Sequence, residues 1–296
     1  MLSNRSYTLS LLALLFAGNV YGQALPVTDI WLADLENGVP DKAVKISTGD
    51  GYNNQPHFSE DGGVIYYTRE QAGTGTDPQT DIAAFHISSG HTTKVNRSTE
   101  SEYSPTPIPN RNALSVIQVE PDQKQRLWAI DVTSGKMDLL LPHVEPVGYH
   151  AWFNDGQVAM FILGNSPTLQ TARLDSEDVS LIADNIGRSI RTHPKSGEIL
   201  FVDRNREPSQ IAAFNPGTSQ IRAVMPLFPG SEDFTIDANG FYWTGNDRRL
   251  YRRSPGDKRW NLMADFGALG IHNISRLAID SNNTRLALVS DRPTVR

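Results

Sequence analysis

Apolar and polar positions alternate in short bursts along most of the chain, and turn-forming Gly, Asn, Asp and Pro residues separate one burst from the next. The clearest unit is Pro56-His57-Phe58-Ser59-Glu60-Asp61-Gly62-Gly63-Val64-Ile65-Tyr66-Tyr67. Pro56 sits near the start of a strand, Glu60–Gly63 supplies the turn residues, and Val64–Tyr67 is a β-branched and aromatic return strand, so the unit predicts a β-hairpin. A second pattern is clearest at Arg126-Leu127-Trp128-Ala129-Ile130-Asp131-Val132-Thr133-Ser134-Gly135, followed by the strand residues Met137–Leu140. It predicts a strand, a glycine turn and another strand.

Both patterns recur. Copies of the second open near Asp29, Asp81, Leu127, Leu169, Ile211 and Leu250, spaced 39 to 52 residues apart. Copies of the hairpin alternate with them, at Ile108–Ile117, Trp152–Phe161, His193–Val202, Ile236–Trp243 and Ile279–Val289. Each period holds four short strands and no helical periodicity. Four strands repeated about every 40–45 residues describe a propeller blade, and closing a ring of blades removes exposed sheet edges. The expected fold class is therefore all-β, a six-bladed β-propeller of four-stranded blades. The chain begins on the second pattern and ends on the hairpin, so both termini should combine in the last blade. Thr28–Leu35 and Ala43–Ile46 would pair there with the hairpin at Leu277–Ser290.

At Pro56–Tyr67, Asp81–Gly90 and Leu127–Gly135 the chain resembles the TolB-like six-bladed β-propeller family, with its Pro-x-Φ-Ser-x-Asp-Gly hairpin and Ile-x-x-x-Asp-Φ-x-x-Gly strand. The resemblance runs through the later repeats in weaker form. It implies a TolB-like propeller, without TolB's own place in the Tol complex. In TolB, which names the family, an N-terminal α/β domain precedes the propeller; here the repeats begin almost at once, so only the propeller is expected.

Composition narrows the setting. Among 296 residues, 39% are hydrophobic and 20% charged, enough apolar material for a sizeable core. The formal net charge of −6 argues against nucleic acid or an anionic membrane surface as a general partner. The absence of cysteine excludes disulfides, thiolate metal sites and a cysteine nucleophile. Residues 1–22 read as a signal peptide: Arg5 precedes the apolar run Leu9–Ala17, and Val20-Tyr21-Gly22 forms a cleavage site ahead of Gln23. That run is shorter than the ~20 residues a membrane-spanning helix needs. The expectation is an exported protein, periplasmic in a Gram-negative source, with a propeller over residues 23–296.

In such a ring the residues just ahead of each hairpin crowd the central channel. They are Asn53, Asn54 and Gln55; Glu100, Glu102 and Tyr103; Tyr149 and His150; Arg188 and Arg191; Glu232 and Asp233; and His272, Asn273 and Arg276. This polar set is the predicted binding rim for a protein or peptide segment, or for a small polar ligand. His57 and His193 are expected to point between blades, as hydrogen-bonded imidazoles. No catalytic residue set emerges, because Gly-x-Ser-x-Gly is absent. No cofactor is required. The alternative is a calcium-dependent, lactonase-like hydrolase: Glu102, Glu145, Glu232 and Asp233 could share the channel with Asn54 and Asn273, and oxygen-rich sets suit Ca²⁺. Phe234–Trp243 resembles a blade of gluconolactonase and NHL propellers, although Asn53 and Asn54 stand where that pattern expects a Glu. Arg248, Arg249, Arg252 and Arg253 are expected on a solvated outer edge.

Overall fold

The computed structural model describes residues 25–71, 79–96 and 98–292. The predicted signal peptide lies outside the described residues. Among the described residues twenty-four strands form six antiparallel four-stranded sheets. Blade 1 contains β3 (Asn53–Phe58), β4 (Val64–Glu70), β5 (Thr80–His86) and β6 (His91–Lys94). Blade 2 contains β7 (Ser101–Pro107), β8 (Ala113–Val119), β9 (Gln125–Asp131) and β10 (Met137–Leu139). Blade 3 runs through β11 (Val147–Asn154), β12 (Gln157–Ile162), β13 (Thr168–Arg173) and β14 (Val179–Ala183). Blade 4 has β15 (Ile186–Thr192), β16 (Ile199–Asp203), β17 (Gln210–Asn215) and β18 (Gln220–Pro226). Blade 5 has β19 (Thr235–Ile236), β20 (Tyr242–Asn246), β21 (Arg249–Arg253) and β22 (Asn261–Asp265). Among the described residues no helix is long and apolar enough to cross a membrane.

Blade 6 joins the two ends of the chain. Its strand order is β2 (Val39–Lys45), β1 (Thr28–Glu36), β24 (Arg285–Asp291) and β23 (Leu277–Ile279). The terminal strands pair over seven positions, from Thr28 with Asp291 to Asp34 with Arg285. The closure expected from the phase of the repeat is therefore the one observed. Side chains reinforce it: Arg292 donates to both carboxylate oxygens of buried Asp29, at 2.9 and 2.7 Å, and Ser47 Oγ donates to the same carboxylate at 2.9 Å.

The hydrophobic interior is divided into six clusters, one at each blade interface. Strand alternation explains the division. In β4, Tyr67 and Ile65 turn toward Ile30 and Val289 of blade 6, while Tyr66 turns toward Leu114 and Val116 of blade 2. Each sheet is thus apolar on both faces, which is why a flat sheet of this composition would not be stable alone. The hairpin turn is organised by its polar residues: Asp61 accepts from Ser59 Oγ at 2.6 Å and from the Gly63 amide at 3.0 Å. Gly62 adopts φ 71°, a conformation glycine enters without steric cost.

Two details depart from the sequence expectations. Arg252 does not lie on a solvated edge: it stacks over Phe241 and Trp243, 4.7 and 5.2 Å from their ring centres, and donates to the Gly38 carbonyl of blade 6. Its neighbours Arg248 and Arg249 pair with Asp265 on exposed surface, each at 3.0 Å. Second, ladder pairing breaks in four of the innermost strands, between Asn54 and His57, Tyr103 and Thr106, Val147 and Tyr149, and Ile186 and Ile190. Such irregularities disturb strict alternation and re-aim side chains.

Candidate functional site: a charged channel

The six innermost strands, β3, β7, β11, β15, β19 and β23, face the ring axis. At the end where these strands begin, residues of blades 3 to 6 converge on one carboxylate. Asp233, just ahead of β19, is 4% exposed although charged. Arg188 of β15 holds it with two bonds, Nε to Oδ1 at 3.2 Å and Nη2 to Oδ2 at 2.6 Å. Arg276, just ahead of β23, bonds Asp233 Oδ1 through Nη1, donates through Nη2 to the Tyr149 hydroxyl at 2.7 Å, and lies 4.9 Å from that ring's centre. Glu232 is exposed at the entrance, 3.4 Å from Arg188 and from Arg204.

Electrostatics follow from this crowding. Burial by itself would raise the Asp233 pKa, but the charges of Arg188 and then Arg276 outweigh it and hold the group at about 2. Arg188 is the mirror case: burial opposes its charge, and Asp233 more than restores it, so its pKa lies above the ordinary arginine value. The neighbouring Tyr52 phenol is pushed up, chiefly by burial and then by the adjacent Tyr149.

Arg191 lies three residues beyond Arg188 on β15, deeper in the channel by roughly 10 Å at ordinary strand rise. Among the described residues its guanidinium bonds only main-chain carbonyls, those of Ile190 at 2.8 Å and of Leu277 at 3.4 Å. Burial draws its pKa down to about 10; Asp233 opposes the shift and Arg276 adds to it. His57 meets it from blade 1. Contrary to the expectation of an inter-blade imidazole, His57 is open to water while enclosed by surrounding protein, and the break in β3 pairing after Asn54 accounts for its redirected side chain. That enclosure, with a smaller contribution from Arg191, draws its pKa down to about 4, against a raising hydrogen bond to the Phe58 carbonyl.

The remaining predicted rim residues divide among other tasks. Gln55, at φ 56°, accepts through Oε1 from Thr68 Oγ1 at 2.8 Å and from the Ser104 amide at 2.9 Å, joining blades 1 and 2. Asn54 is buried and accepts from the Gln55 amide at 2.8 Å. Tyr103 is buried edge-to-face against Tyr52, with ring centres 6.4 Å apart. His150 is buried with Nε2 2.6 Å from Ser115 Oγ, and burial draws its pKa down to about 3. His272 and Asn273 are exposed beside the closing strand, where Asn273 donates to Asp291 at 2.7 Å.

Glu102 is fully buried in a separate polar pocket between blades 1 and 2. It accepts from Asn96, Ser98 and Gln118, the last at 2.9 Å. Burial, helped by nearby Asp81, raises its pKa to about 7 against the opposing hydrogen bonds. Glu145 pairs with Lys124 at 3.8 Å in an exposed position. Of the four carboxylates expected to share one channel, Glu102 and Glu145 therefore lie apart from Glu232 and Asp233, which meet at Arg188. Among the described residues no group of three or more His, Asp or Glu is arranged to hold a metal ion. The donor set does not fit the calcium alternative, since both Asp233 oxygens already accept from guanidinium groups.

Tyr52 and His57 belong to the channel site but not to the predicted rim, whereas Arg276 was expected there. Arg276 occupies the place in the sixth repeat that Asp233 holds in the fifth, four residues ahead of the turn aspartates Asp280 and Asp237, so repeat phase pointed to it. A surface cleft of about 530 Å³ lies elsewhere, between the outer parts of blades 2 and 3. Its charges are internally satisfied, Arg173 by Asp175 at 2.7 Å and Arg111 by the Asp155 carbonyl at 2.7 Å, so the channel carries the stronger chemistry.

No family model matches the sequence. No curated protein matches it either. Solved structures do resemble the fold. A putative TolB from Agrobacterium tumefaciens superposes with a TM-score of 0.70 at 11% identity, covering 91% of this chain and 99% of its own. TolB from Acinetobacter baumannii gives 0.61 at 12% identity, covering 92% of this chain, which spans 65% of that protein. A gluconolactonase from Xanthomonas campestris gives 0.63 at 11% identity, covering 93% and 99%. Together with the six four-stranded blades, these superpositions show that the chain has the six-bladed fold of the TolB-like propellers.

Proposed function

We propose that this chain is an exported, non-catalytic binding module that takes a protein segment or small polar ligand at the Arg188–Asp233 end of its channel, in cell-envelope assembly or transport. The observation that carries this reading is the convergence of Tyr149, Arg188, Asp233 and Arg276, from four blades, on one channel end. Polar groups fixed by one another in a concave, partly dry site are suited to orienting a ligand. Export rests on the apolar segment and cleavage pattern of residues 1–22. A calcium-dependent hydrolase has support in the gluconolactonase superposition, but its metal would have to displace two arginines from Asp233.

Replacing Tyr149 by the photo-crosslinker p-benzoylphenylalanine tests the site in living cells. A discrete adduct from position 149, absent when the crosslinker replaces Val44 on the outer strand, is expected. Equal labelling from both positions, or none from 149, refutes the channel as the binding site. Sequencing the mature N-terminus tests export; it should begin at Gln23.

A further inference from the structure

The channel lining carries more positive charge than its buried carboxylate can match. Arg188 and Arg276 hold Asp233, Arg191 acts on it from deeper in the channel, and the other carboxylate paired with this network among the described residues, Glu232, is exposed at the entrance. Asp233 is fully engaged by Arg188 and Arg276. Arg191 is left with two carbonyl partners, one of them at 3.4 Å, and with no carboxylate within ion-pair distance among the described residues. A guanidinium carries five N–H donors in a planar fork, so donors remain for a further acceptor. Isolated buried charge is costly, and folded proteins ordinarily pair it.

We propose that Arg191 is the receptor for a carboxylate on the ligand, which enters past Glu232 and is held beside the Asp233 cluster. This rests on the channel-binding reading above and names the chemistry of its ligand. A carboxylate matches the fork of Arg191 with two parallel bonds and a single negative charge. The surroundings select for it: Arg276 adds positive potential from blade 6, and His57, neutral, closes the blade 1 side without repelling an anion or supplying a competing charge. Tyr149 is fixed by Arg276, which donates to its hydroxyl and lies over its ring. Asp233 orients the other two arginines, and the unmatched Arg191 receives the incoming charge.

Arg191→Met keeps the apolar stem and removes the charge, and it separates this role from a structural one. The intact protein is measured by thermal unfolding and calorimetry with two matched probe pairs: a hexuronate against its neutral hexose, and a short peptide ending in a free carboxylate against its amide. At least one acidic member is expected to bind at least tenfold more tightly than its neutral partner, and Arg191→Met should abolish that preference. The free variant should melt at a higher temperature than the parent, because a half-buried unmatched cation has gone. The peptide and the sugar acid distinguish the two sources of the carboxylate. Loss of stability in Arg191→Met, or equal binding of acidic and neutral probes, or no binding of any probe, overturns the assignment. If position 149 still crosslinks a ligand in the Arg191→Met variant with undiminished yield, channel binding stands and the carboxylate assignment fails.

Discussion

Arg188 and Asp233 are 45 positions apart in sequence and on adjacent blades, yet they are joined by two bonds of 3.2 and 2.6 Å in the channel. Their pairing makes a buried carboxylate tolerable there, and that carboxylate in turn fixes Arg276. Asp233→Asn should therefore destabilise the ring by about 3–5 kcal/mol, the range for removing one partner of a buried ion pair. Denaturant unfolding at neutral pH checks this. The pKa of Asp233 is depressed on folding, so its stabilisation is complete above the ordinary value of 3.8 and lost as pH falls through about 2. The variant should lack that acid limb.

Glu102 behaves in the opposite sense. Its pKa is raised on folding, from 4.5 to about 7, so the folded protein holds the proton more firmly. The associated stability is complete below about pH 4.5 and lost as pH rises through 7. A shift of this size corresponds to on the order of 3 kcal/mol. Glu102→Gln should flatten the decline in stability between pH 5 and 8, measured as melting temperature against pH. A parallel decline in parent and variant would contradict the assignment.

His57 and His150 are both held neutral, His57 near 4 by the protein around its exposed ring and His150 near 3 by burial. Their contribution to stability is present above the ordinary histidine value of 6.5 and is lost as pH falls toward those figures. In an NMR titration their imidazole resonances should stay fixed from about pH 8 to 5, a range in which an unperturbed histidine, pKa about 6.5, changes charge. Movement of either signal near pH 6.5 would mean that the surrounding protein does not hold that ring neutral.

Closure of the ring depends on β1. Ile30 is fully buried, pairs with Val289 across the terminal sheet and packs against blade 1. Ile30→Ala should cost about 3 kcal/mol through lost burial and the cavity left behind. Limited proteolysis should then cut the terminal blade first. Protection equal to the parent would mean that blade 6 is held by its outer contacts instead.

The fold was legible in the chain because each blade repeats the same local demands. Turn residues such as Asp61 and Gly62 mark the hairpins, alternation as at Tyr66 and Tyr67 covers both faces of a sheet, and the phase of the repeat foretold the union of β1 with β24. The neighbourhood of the site was legible too, since residues ahead of each hairpin had to approach the axis. Division of labour within that neighbourhood was not. Glu102 and Asp233 occupy similar places in their repeats and are both buried, yet one is cradled by amides and a hydroxyl and the other by two arginines. Sequence spacing thus determined the blade count, the closure and the candidate ring of residues, all of which depend on local periodicity. Tertiary structure alone decided which side chains meet across blades, because irregular pairing in the inner strands redirects residues such as His57, and the charges that set each pKa come from distant repeats.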